Sequence, residues 1–139
     1  GTTCGDPAIG PTTEMEMFLA VADITGFLKP FDEWVKEGFD FFRELHEDQR
    51  PRTIEAWVKF ELGFLNKFVR PRIEALPEPL RKELLEKLDG TVEKVNSLLD
   101  PATDPGGTNR KAVEDCFLTL RYEEGKTFLR KFLSNASAI

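Results

Sequence analysis

Apolar residues along this chain recur every three or four positions, and the recurrence divides it into helices separated by short polar or proline-bearing breaks. The stretch from Thr53 to Leu76 organises the rest. Ile54, Trp57, Val58, Leu62, Leu65, Phe68, Val69, Ile73 and Leu76 fall on one stripe, and Phe60 and Phe64 widen it sideways. A face this broad predicts a central helix flanked by at least two neighbours. Thr53 is placed to cap its start, and Pro71, which has no amide hydrogen, is expected to kink it or end its regular part near Val69.

The other elements follow in order. Residues 1–11 hold three Gly and two Pro, a composition that predicts a coil arm, and residues 12–139 read as one helical bundle domain. A capping box from Thr13 to Glu16 opens a first helix that carries Met17, Phe18, Val21, Ala22, Ile24, Phe27 and Leu28 and ends near Lys29. Pro30 suits the start of a second helix, with Phe31, Trp34, Val35, Gly38, Phe42 and Leu45 as its stripe, running to about Asp48. Pro77 and Pro79 reset the chain for a helix with a narrow leucine-rich stripe, Leu80 to Leu99, and residues 100–107 form the clearest loop. Thr108 or Asn109 is expected to cap a last helix with two apolar faces. One carries Val113, Cys116, Phe117, Leu120, Phe128 and Phe132, the other Leu118, Tyr122, Leu129 and Leu133. Nowhere do four or more β-branched or aromatic residues alternate with polar ones, so strands are not expected. The fold expectation is all-α: a single-domain antiparallel bundle of about five helices with a coil amino-terminal arm.

Composition narrows the function classes. The 139 residues are 40% hydrophobic, enough for a real core, and the formal net charge of -6 is the wrong sign for a nucleic-acid backbone. No apolar run approaches the roughly 20 residues needed to span a bilayer. The two cysteines, Cys4 and Cys116, have no C-x-x-C spacing and no neighbouring His, so a disulfide between them is expected rather than a metal or redox site. With the sequon Asn135-Ala136-Ser137, this points to a secreted protein carrying a glycan at Asn135.

Catalytic chemistry is not legible. His46 is the one histidine, surrounded by Glu44, Glu47 and Asp48 on the polar face expected of the second helix, and no nucleophile, metal set or cofactor fingerprint accompanies it. The unusual feature is phenylalanine, with twelve in the chain besides two Trp. Phe31, Trp34, Phe64, Phe68, Phe128 and Phe132 are candidates to line a cavity between helices for a fatty acid, lipid or other small hydrophobic molecule. Arg70 or Arg121 would hold its anionic head group. Solid packing of the same rings as core is the ordinary alternative. The leading expectation is a secreted carrier. A protein–protein interaction module and a structural or self-associating protein are the rivals, distinguished by whether the surplus rings are enclosed or displayed.

Overall fold

The computed structural model describes residues 25–138, with side chains through residue 136, and every regular element among them is helical. The predicted coil arm and nearly all of the helix expected over residues 12–29 lie outside them. The described end of that helix, Gly26–Leu28, is a single 3₁₀ turn, after which Lys29 is extended.

Helix α1 spans Phe31–Glu44, with Asp32 and Glu33 in its first turn, where carboxylates favour the positive end of the helix dipole. It stops four residues before the expected Asp48, and the reason is not local. The Arg50 guanidinium donates to the carbonyls of Leu45 at 3.1 Å and Arg43 at 3.2 Å, taking up acceptors that a continuing helix would have used. Leu45 turns extended, and Glu47–Gln49 forms a 3₁₀ turn. His46 therefore belongs to an exposed connection rather than to a helix face.

The central rod comprises α2 (Ile54–Gly63), a π-helical segment (Phe64–Val69) and α3 (Arg70–Glu74). Thr53 caps it as expected, its Oγ1 accepting from the Ala56 amide at 3.1 Å. Pro71 acts through the turn before it. With no amide hydrogen to offer the carbonyl four residues back, it is accommodated by a widened turn in which the Arg70 amide reaches the Leu65 carbonyl, five residues away. Where a kink or an end to the regular part near Val69 was expected, the rod widens over Phe64–Val69 and then continues as α-helix.

Helix α4 covers Leu80–Ser97 and α5 covers Thr108–Ala138. The rod lies against α4, while α1 lies along α5. Phe39 of α1 meets Phe117 of α5 edge-on at 4.9 Å and Phe42 at 5.1 Å, so interlocked rings bind the two helices at the centre of the core. The start of α5 is fixed by Asp104, not by Thr108 or Asn109. The buried Asp104 carboxylate accepts from the Asn109 and Arg110 amides at 3.0 and 2.9 Å, across a reversal in which Gly106 and Gly107 both take positive φ.

One turn of α5 is clasped by the connection after α1. Glu124 accepts from Arg50 at 2.7 Å and Arg52 at 2.6 Å, Glu123 pairs with Arg43 at 2.6 Å, and the Arg121 guanidinium donates to the Arg52 carbonyl. Burial pushes the Glu124 carboxyl up, but the hydrogen bonds and charges of Arg52 and Arg50 outweigh it and hold the group below the ordinary carboxylate value. Beyond the clasp, every residue from Gly125 to Ala136 is exposed. At about 1.5 Å per residue, this end of the helix runs on for roughly 20 Å past the clasp.

Candidate functional site

A cavity of about 390 Å³ opens between α1, the rod and the Gly26–Leu28 turn. Phe27 comes from the turn, Trp34, Gly38, Phe41 and Phe42 from α1, and Phe60, Glu61 and Phe64 from the rod. Spacing explains the convergence, since residues three, four and seven apart on α1 share a face, and so do Phe60 and Phe64. Phe42 meets Phe60 edge-on at 5.2 Å, tying the two helices together at the wall. Phe41 and Phe60 keep 49% and 39% of their surface exposed, so the cavity communicates with solvent along these rings.

Its polar group is unexpected. Glu61 is only 5% exposed, and among the described residues its carboxylate has no hydrogen-bond or ionic partner. Gly38 of α1 lies directly opposite: a Cβ there would sit 3.5 Å from Glu61 Oε1, in ordinary van der Waals contact. Burial alone pushes the carboxyl up to about 8, because a carboxylate in an aromatic enclosure loses its hydration without compensation. A second acid of the lining, Glu37, is paired with Lys29.

Of the rings singled out in the sequence, Trp34 and Phe64 line this cavity. Phe31 packs on Trp34 at 5.9 Å but faces a smaller hollow of about 190 Å³ shared with Lys87, Gly90 and Lys94. Phe68 stacks on Phe64 at 5.4 Å, under the Arg72 guanidinium, without lining the cavity. Phe128 and Phe132 stand apart from all of these, 71% and 59% exposed on the projecting end of α5. Neither proposed head-group residue reaches the cavity. Arg70 is engaged by Asn66 and by Asp89 at 2.8 Å, and Arg121 by the Arg52 carbonyl. The cavity offers acids where a basic anchor was expected.

A lone carboxylate carries no motif of its own, so Glu61 does not stand out by residue type among the 25 acids of the chain. Yet it lies four residues after Trp57 and four before Leu65, squarely on the central stripe, and Gly38 lies on the stripe of α1. An acid on an apolar stripe opposite a glycine is the signal that could have found it.

The last helix carries a second feature. At about 100° per residue, Phe128, Leu129, Phe132, Leu133 and Ala136 share an arc of roughly 140°. Val113, Cys116, Phe117 and Leu120, which face the core, lie on nearly the opposite side. Phe128 and Phe132, expected on that same core face, thus fall with Leu129 and Leu133 on an outward face that Leu118 and Tyr122 already occupy. Every charged residue after Glu124 is basic: Lys126, Arg130 and Lys131. Cys116 is buried and lines a surface groove with Phe39, Lys111 and Asp115, and burial pushes its thiol up; Cys4 lies outside the described residues. Asn135 is exposed. Among the described residues no cluster of His, Cys, Asp and Glu could hold a metal ion, and no helix is long and apolar enough to cross a membrane.

No protein-family model matches the chain, and no similar curated protein or solved structure was found.

Proposed function

We propose that this protein is a non-enzymatic carrier that takes up a small hydrophobic molecule in the cavity between α1 and the rod. The observation that carries the reading is an aromatic-walled volume of about 390 Å³, within the range of small-molecule sites, with one buried polar group. Six rings surround it, from elements that the core already holds rigid, so little ordering cost would accompany binding. A ten-carbon chain would be stabilised by roughly 0.8 kcal/mol per methylene before the costs of association are subtracted. The test is calorimetric titration with ten-carbon probes, with Trp34 fluorescence as a local reporter. A dissociation constant near micromolar, about 8 kcal/mol, is expected for the best of them, and Phe41→Ser at the cavity wall should weaken it about tenfold. Absence of any saturable binding would remove this reading.

The same reading takes the chain as one antiparallel domain of about five helices, following a coil arm. It places the protein outside the cell, with Cys4 bridged to Cys116 and a glycan on Asn135. Among the described residues Cys116 is a free, buried thiol at the edge of the groove between α1 and α5. By the chain-entropy model, closing so long a loop would stabilise the fold by roughly 4 kcal/mol. Thiol titration of the unfolded, unreduced protein should then detect no free sulfhydryl. Two titratable thiols would exclude the bridge and, with it, most of the case for secretion.

The projecting end of α5 favours a second reading, an interaction module. Its apolar arc and its three basic residues without an acid fit an acidic amphipathic helix of a partner protein. On this reading, replacing Phe128 and Phe132 with Ser leaves the fold's stability within about 0.5 kcal/mol, because exposed side chains are removed, but abolishes partner capture. Self-association of the purified chain, lost in the same double variant, would instead support the self-associating alternative.

A further inference from the structure

We infer that the ligand of this cavity is a small apolar ammonium, seated on the Glu61 carboxylate and walled by the rings of Phe27, Trp34, Phe60 and Phe64. The inference rests on the carrier reading and gives the ligand its chemical class.

Three observations converge on a cation. First, Glu61 is nine-tenths or more buried, lines the cavity and has no donor among the described residues. Residues 1–24 contain no Lys, Arg or His, so that part of the chain has no basic side chain to bring to it. Second, the other titratable group of the lining is also an acid, Glu37, already paired with Lys29. An anionic ligand would therefore meet two carboxyl groups and no available base. Third, the walls are aromatic, and ring faces attract an ammonium once it is desolvated, which they do not do for a carboxylate or an alcohol. A buried carboxyl without a partner is costly to ionise, and a ligand ammonium provides both the opposite charge and a donor in one group.

Protonation makes the inference measurable. With burial holding Glu61 at about 8, the empty site is mostly neutral near pH 7. An arriving ammonium keeps its own proton and stabilises the carboxylate, so the Glu61 proton leaves to the buffer. Binding of a cation thus releases close to one proton and tightens as pH rises toward about 8, whereas a neutral ligand releases none.

Calorimetric titration of decylamine, 1-decanol and decanoate, in two buffers of different ionisation enthalpy, separates the possibilities. Decylamine should bind about tenfold or more tighter than 1-decanol, with decanoate weakest, and should release nearly one proton at pH 7. Glu61→Gln keeps the shape of the side chain and should remove both the amine preference and the proton release while leaving 1-decanol binding within about twofold. If 1-decanol binds but decylamine has no advantage, or its advantage survives in Glu61→Gln, the ammonium assignment is overturned and the apolar cavity stands. If none of the three binds, both are overturned.

Discussion

Glu61→Gln is expected to stabilise the protein by about 5 kcal/mol at pH 9 and to change it little near pH 4.5. The sign follows from which state holds the proton. In the folded chain, burial keeps the Glu61 carboxyl protonated up to about 8, whereas in the unfolded chain it ionises near the ordinary 4.5. Between those two values the folded state binds more protons, so stability is fully present below about 4.5 and falls as pH rises to about 8, then levels off. Gln is uncharged throughout and escapes the loss. Urea unfolding of both proteins across this pH range should give curves that meet at the acidic end and diverge toward the basic end. Parallel curves would mean that Glu61 is hydrated or paired in the folded protein, and would also weaken its role as an anchor. A group that costs the fold this much at neutral and basic pH is the kind found where a site, rather than stability, dictates the residue.

Trp57→Ala is expected to cost about 3 to 5 kcal/mol. Trp57 is 1% exposed, lies at the start of the rod's stripe, and meets Trp34 edge-on at 6.2 Å, directly behind the cavity wall. Its removal leaves a void between α1 and the rod that rigid neighbours on both sides cannot collapse to fill. The indole Nε1 adds a finer test, because it is buried without an acceptor among the described residues. An unsatisfied donor of this kind costs roughly 1 to 3 kcal/mol, which partly offsets the burial of the ring. Trp57→Phe removes the donor and most of that cost together, so it should lose about 1 kcal/mol or less. A loss under about 1 kcal/mol for Trp57→Ala in urea unfolding, the size of an ordinary surface change, would show that the rod does not organise the core.

Much of the described fold was legible because helices are local objects. The period of apolar residues located α1, the rod, α4 and α5; Thr53 announced its cap through one side chain and an amide three residues away; and Pro71 disturbed the backbone where its missing hydrogen required. The two apolar faces of α5 were visible in the spacing of Leu118, Tyr122, Leu129 and Leu133 against Val113, Cys116, Phe117 and Leu120, but Phe128 and Phe132, which spacing placed with the core face, are exposed. What spacing could not decide was which partner lies opposite. Helix α1 ends at Glu44 because Arg50, six residues beyond it, takes the last carbonyls, and α5 begins where Asp104 reaches forward across a loop. Phe128 and Phe132 carry the same ring as Phe42, yet they are exposed and Phe42 is buried, since the clasp at Arg121–Glu124 is where α5 leaves the bundle. The acid at position 61 depends on the same kind of fact. Its place on the stripe is written in the sequence, but its burial without a base follows from the α1 residues that pack across from it, Trp34, Gly38 and Phe42, and a side chain's hydration is set by everything that surrounds it in space.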